Sequence, residues 1–258
     1  MSTFERYQDL ISNPKTSFFG NPMSNKLLVS TEGRFQTFYA PFDHINRDAK
    51  VVICGITPGK QQALNALEEA RKSMLNGDSA EVAKQKAKKF GSFSGDMRPN
   101  LIAMLNHIGL DEVLGITNCA DLFGAYSNLV HYTSALRNPV FLDGENYSGS
   151  PSMVKQPALL RQIELALVEE IRLLGQDCIY VPLGDEVSKV FTYLEAKGLV
   201  NPAQVLNGLP HPSGNSVERV HYFLGKKERA LLSNRTDADK IDTGKASILA
   251  KVKALRAL

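Results

Sequence analysis

Four apolar runs are too short for helices and too continuous for strands with one wet face. The first is Val51-Val52-Ile53-Cys54, which runs into Gly55-Ile56. Its β-branched content and lack of alternation predict a strand buried on both faces. Comparable runs follow at Gly115 to Phe123, at Cys178 to Leu183, and at Val205-Leu206 leading into Gly208-Leu209-Pro210. Between them the spacing turns helical. Leu101, Ile102, Met104, Leu105 and Ile108 share a helical face, with Gly109 as a natural stop. Pro157 to Leu174 is strongly amphipathic, and Glu186 to Ala196 gives another helix. Strands alternating with helices predict an α/β fold of three layers, α/β/α, around a mostly parallel four-stranded sheet.

Two regions break this rhythm. Residues 60–90 read as two helices about the turn Asn76-Gly77-Asp78, the first marked by Leu64, Leu67, Ala70 and Met74 and the second basic. They are expected to form a helical hairpin inserted after the first strand. Residues 1–50 carry Phe18, Phe19, Phe35, Phe38, Tyr39 and Phe42 among turn formers without a clean period, so an N-terminal helix and irregular wrapping are expected there. The tail ends in a Lys/Ala/Leu helix from Ser247. A single domain over residues 1–258, with the hairpin at about 60–90, is the expected organisation.

Composition narrows the class. The chain of 258 residues is 43% hydrophobic and 22% charged, ordinary for a globular domain. No apolar run approaches the ~20 residues of a membrane span. The start, Met1-Ser2-Thr3-Phe4-Glu5-Arg6, lacks the pattern of a secretory signal, so a cytoplasmic monomer is expected. A net charge of +3 neither demands nor excludes nucleic acid, because a local basic stripe counts for more than the total. Cys54, Cys119 and Cys178 lie far apart, each inside a predicted strand, and read as buried thiols. No His/Cys/carboxylate group has metal-ligand spacing, and neither a metal nor a cofactor is expected.

The candidate chemistry lies in two turns. Gly55-Ile56-Thr57-Pro58-Gly59 follows the first strand; Leu209-Pro210-His211-Pro212-Ser213-Gly214 follows the last. Loops at the carboxyl ends of strands are where open α/β sheets place ligands. A glycine-rich turn lets a ligand approach the main chain closely. His211, between two prolines, is held on a stiff loop, and Ser213 and Gly214 offer a hydroxyl and N–H groups suited to phosphate. Basic residues flank both regions: Lys84, Lys86, Lys88 and Lys89 in the insertion, and Arg219, Lys226, Lys227 and Arg229 after the histidine. Contacts from such residues give salt-sensitive, sequence-independent affinity for a phosphate backbone.

This pairing of a Gly-x-x-Pro-Gly turn with a distant His-Pro-Ser-Gly turn resembles the uracil-DNA glycosylase superfamily. Phe93-Ser94-Gly95 resembles its Phe-x-Gly segment, and Ile116 to Leu122 resembles a strand of its single-strand-selective members. Gly208 to Ser216 looks closest to the mismatch-specific branch. The likeness covers roughly residues 50–225, with 60–90 unmatched. It implies an enzyme that flips a nucleotide out of DNA and hydrolyses its N-glycosidic bond. Phe93 would stack on the base, Asn118 would read its edge, and Gly55 and Gly59 would line the base-binding turn. His211 would stabilise the charge developing on the leaving base. Ser213, Gly214, Asn215, Arg219, Lys88 and Lys89 would contact DNA, Asn215 at the position where relatives insert a wedge. No lysine sits in either motif, which implies an abasic product without strand cleavage.

Two positions depart from the family pattern. Thr57 stands where most active relatives have Asp or Asn to position water, which leaves catalysis to His211, to a substitute carboxylate such as Asp96 or Asp121, or to none. In the last case the chain is a silent DNA- or base-binding protein. Gly59 stands where strict uracil enzymes place tyrosine, so the space beside C5 is open. That suggests a larger base than uracil, including the hydroxymethyl or glucosylated cytosines of some phage DNA, and a defence role. A nucleotide-binding α/β enzyme unrelated to DNA is a third reading. The first turn lacks the Gly-x-Gly-x-x-Gly and P-loop patterns such an enzyme would need.

Overall fold

The computed structural model of the chain describes residues 3–16, 18, 21–95, 97–174 and 177–257. Phe4, Tyr7 and Ile11 recur at helical spacing and form the buried stripe of α1 (Thr3–Ser12). Two short strands follow, β1 (Leu28–Glu32) and β2 (Phe35–Phe38). The first predicted strand is β3 (Val51–Gly55), buried at every position. Two helices occupy the stretch expected to be a hairpin, α2 (Lys60–Leu75) and α3 (Ala80–Gly91), with Ser79 Oγ accepting from the Val82 N–H to cap the second. After them come α4 (Met97–His107), α5 (Leu110–Leu114), β4 (Val130–Ser134), β5 (Val140–Leu142) and β6 (Glu145–Asn146). The amphipathic stretch at 157–174 is α6 (Pro157–Gln162) and α7 (Val168–Leu174), joined by a π-helical turn at Ile163–Leu167. The chain closes with β7 (Ile179–Pro182), α8 (Asp185–Ala196), α9 (Val217–Phe223) and α10 (Ala238–Leu255). The fold is mixed α/β, and no helix among the described residues is long and apolar enough to cross a membrane.

Its contacts divide the chain into two compact units, each assembled from three stretches. The first holds Met1–Ile45, Ile56–Ser94 and Tyr132–Glu169. Here β1, β2, β5 and β6 form an antiparallel sheet in that order. The β5–β6 hairpin turns through Asp143 and Gly144, both at positive φ, and Arg34, in the turn between β1 and β2, ion-pairs with Asp143. Alanines at 63, 66, 70, 83 and 87 let α2 and α3 approach closely, around a core that also holds Phe4, Tyr39, Phe42 and Phe141. At Gly91 a Cβ would come within 3.1 Å of the Ala66 Cβ, so glycine is what the close contact requires.

The second unit holds Asn46–Gly55, Gly95–His131 and Glu170–Leu258. Its sheet runs β4-β3-β7, with β4 contributing Val130 and His131 from this unit. Strands β3 and β7 pair in parallel from Val51↔Ile179 to Cys54↔Pro182. Burying both faces explains the continuous apolar runs.

Two strand expectations need correction. The segment 205–209 makes only two isolated parallel bridges, Tyr180↔Val205 and Leu183↔Leu209, so the parallel sheet has three strands rather than four. The run 115–123 is not a strand. Asn118 Oδ1 accepts from the Ala120 N–H at 2.8 Å and caps a 3-10 turn over Cys119–Phe123. Local side-chain-to-backbone bonding of this kind competes with pairing. The third strand is β4, whose polar centre hid it. His131 and Glu170, 1% and 0% exposed at the side chain, lie 3.0 Å apart, and His131 Nδ1 accepts from the Asn46 N–H at 3.3 Å.

Candidate functional site

In the second unit, the end of β7 shapes the His211 loop. The Leu183↔Leu209 bridge and a 2.9 Å bond from the Gly184 N–H to the Leu209 carbonyl bring the loop against the strand end. Gly184 has φ +84, and a Cβ there would lie 3.1 Å from the His211 Cβ. Only glycine meets both conditions without strain. Asn100 on α4 donates from Nδ2 to the Pro212 carbonyl at 2.9 Å. Gly208 lies against Gly244 of α10, where a Cβ would come 2.7 Å from the Gly244 Cα. The histidine backbone is therefore held by a strand end, a helix amide and a glycine crossing.

The imidazole has a defined proton. Nδ1 accepts from the Ser213 N–H at 3.3 Å, which leaves the neutral ring protonated at Nε2. Nε2 has no protein partner among the described residues. Burial lowers the His211 pKa to about 4, so the ring is neutral at pH 7. A neutral N–H donor held on stiff backbone can stabilise negative charge as it develops.

Around it, Ser213, Gly214 and Asn215 lead into the short α9; Gly214 and Asn215 are exposed. Arg219 is exposed and spends one guanidinium N–H on the Arg235 carbonyl at 3.0 Å. Lys227 and Arg229, expected as DNA contacts, are instead ion-paired within the unit, to Glu218 at 2.7 Å and to Asp239 at 2.7 Å. Gly55 is the buried last residue of β3. The amide oxygen of Asn118 is spent: besides its cap it accepts from Asn106 Nδ2 at 3.1 Å. Asp121 lies in the following 3-10 turn, and Asp96 lies outside the described residues.

The first unit holds Thr57, Gly59 and Phe93. Thr57 Oγ1 donates to the Asn138 carbonyl at 2.9 Å and accepts from the Val140 N–H at 3.0 Å. With the Leu136 N–H bonded to the Ile56 carbonyl, this stitches the turn to the segment entering β5. The hydroxyl proton is thus committed to backbone. Gly59 is the N-cap of α2, its N–H donating to Gln62 Oε1 at 3.0 Å. Asn146 of β6 accepts the next N–H, from Lys60, at 2.9 Å. Phe93 has φ +48, a costly conformation for an aromatic residue, and is 6% exposed with its ring edge-on to Tyr132 at 5.8 Å. Asp43, which sequence reasoning passed over, accepts from the Tyr39 hydroxyl at 2.7 Å, and burial raises its pKa.

The lysines of α3 depart furthest from expectation. Lys88 is 4% exposed and donates to the His44 carbonyl at 2.7 Å, so it is not a surface contact. Lys84 pairs with Glu81 and Lys86 with Asp78, each at 2.6 Å, while Lys89 is exposed. The three cysteines are buried free thiols, and burial pushes Cys119 up to about 12. Gly184, Asn100 and Asn146 carried no sequence signal, since their roles depend on partners distant in the chain.

No family model matches the chain, and no solved structure matches it. A curated relative from Bacillus subtilis (strain 168), the uncharacterized protein YoxB, is 35% identical over 222 residues, which span 85% of this chain and 87% of the relative. Similarity of that depth over nearly both full lengths places the chain in one family with YoxB.

Proposed function

We propose that the protein is a monofunctional DNA glycosylase that releases a flipped pyrimidine by hydrolysis. The observation that carries this reading is the neutral His211, with its Nε2–H unpartnered among the described residues and its backbone held by Gly184 and Asn100. As the C1′–N1 bond breaks, its electron pair passes to the base, and His211 donates a hydrogen bond to the base oxygen that gains charge. Water then adds to the sugar cation at C1′ and loses a proton to solvent, while the departed base anion takes one from solvent, giving an abasic site and the neutral free base. The committed hydroxyl of Thr57 orders the turn and does not hold the water, so leaving-group stabilisation supplies most of the acceleration. A single such donor is worth roughly 100-fold to 1,000-fold. The strained Phe93, just after α3, supports a function at its own segment, because such backbone persists where surrounding structure enforces it.

The engagement of Thr57 favours one second reading, a silent base-binding protein on the same fold. Scoring abasic sites on single strands and duplexes that carry uracil, ethenocytosine or modified cytosines separates the two. Release abolished by His211→Ala supports the enzyme; silence of the wild-type protein on every substrate, with binding retained, supports the silent binder.

A further inference from the structure

The helix that closes the second unit carries its lysines in two different settings. Lys240 and Lys253 of α10 are exposed, as helix lysines usually are. Lys245 and Lys251 are partly buried and share the helix face that docks. Ile241, Gly244, Lys245, Ile248, Lys251 and Val252 recur at the three- and four-residue spacing of one face, and the apolar side chains among them are buried. A lysine in such a stripe must trade part of its hydration for a polar partner.

Both lysines find main-chain carbonyls that flank the His211 loop. Lys251 Nζ donates to the Pro202 and Val205 carbonyls, at 2.8 Å each, on the chain that enters the loop. Lys245 Nζ donates to the Phe223 carbonyl at 2.7 Å, at the end of α9 on the chain that leaves it. Between these grips lies the Gly208–Gly244 crossing, just ahead of His211. The entering segment needs such support. It makes two isolated bridges, at Val205 and Leu209, in place of a continuous ladder. Pairing therefore sets its direction and leaves its position to whatever else holds it. Hydrogen bonds from an ammonium are roughly twice as strong as neutral ones, and Lys251 supplies two of them at one end of the segment.

We propose that Lys245 and Lys251 are positioning residues for His211. They tie the chain on both sides of its loop to α10 and so hold the imidazole where a departing base needs its donor. The effect on base release rests on the glycosylase reading above. The placement of the ring does not, and it has a readout of its own.

The test follows the His211 imidazole of the full chain by NMR titration, its signal identified by its loss in His211→Ala, together with base release by the same samples. Lys251→Met keeps the aliphatic stem and removes the donor; Lys251→Arg restores a donor. Lys245→Met frees the other side and serves if Lys251→Met does not fold, with melting curves identifying the folded variants. In the folded Met variant the His211 pKa is expected to rise from about 4 toward its ordinary value of ~6.5 as water reaches the ring. Its kcat is expected to fall by up to roughly 100-fold with KM within about twofold, as for a displaced reacting group. Lys251→Arg should recover both the titration and kcat. A His211 titration unchanged in the folded Met variants overturns the positioning role. A raised pKa with release unaltered overturns its catalytic consequence. A raised pKa, with no release from any substrate by the wild-type protein, upholds the placement and overturns the glycosylase reading.

Discussion

The two turns treat their polar groups in opposite ways. At the His211 loop, backbone and neighbouring side chains hold the residue while its Nε2–H stays unpartnered among the described residues. At the Thr57 turn, the side chain named as a candidate has both its proton and an acceptor position taken by backbone. One loop is arranged to present a group, the other to preserve a shape. The lesson is that a residue's type in a motif says little until its hydrogen bonds are counted. Both residues were candidates in sequence; among the described residues only the histidine keeps an unspent polar group.

The comparison can be broken most directly at His211. His211→Ala is expected to cut base release at least about 100-fold while leaving the melting temperature close to wild type, read as abasic sites per enzyme. An equal loss of folding would assign the histidine to structure. Gly184→Ala should reproduce part of that deficit. Its φ of +84 and the 3.1 Å approach to His211 both penalise a Cβ, with an expected cost of about 1–3 kcal/mol in denaturant melts and a displaced imidazole.

Thr57→Val sharpens the other side of the contrast. It leaves the Val140 N–H and the Asn138 carbonyl without their partner, an expected loss of about 1–3 kcal/mol. Thr57→Ser should restore stability and release together. If Thr57→Val is as stable as the wild type but inactive, the hydroxyl has a chemical role after all.

The pH dependence follows from the lowered pKa of His211. The unfolded ring titrates near 6.5 and the folded one at about 4, so between those values the unfolded chain binds the extra proton. Stability from this group is therefore undisturbed above pH 6.5 and falls as pH drops toward 4, by on the order of 1–3 kcal/mol. His211→Ala should show a shallower acid slope in urea melts taken across that window. The smallest effect concerns the lysines: Lys89→Ala should lower the salt slope of DNA binding by about one, whereas Lys88→Met should change stability and leave the slope alone.

Much of the fold was legible because its strands are buried on both faces. Val51–Gly55 and Ile179–Pro182 need no alternation to be recognised, and the α4 and α8 stripes follow ordinary helical spacing. Strand β4 was hidden because its centre is polar, and histidine reads as apolar only once Glu170 and the Asn46 N–H satisfy it. The run 115–123 misled for the reverse reason: its apolar content is real, but Asn118 closes a local turn before any pairing forms. Lys88 illustrates the same limit, since nothing near it in sequence announces the His44 carbonyl that it reaches.

The sequence by itself determined which segments must leave water and where the chain is stiff or permissive: the apolar strands, the amphipathic helices, the prolines about His211 and the glycines of both turns. Those properties belong to a residue and its near neighbours. Tertiary structure alone decided which polar groups are spent and which stay available. Thr57 meets Asn138 and Val140, Asn146 meets Lys60, and Gly184 meets His211 across separations of about 27 to 86 residues. A hydrogen bond is satisfied by whatever group lies within reach in space, and distance along the chain does not reveal that.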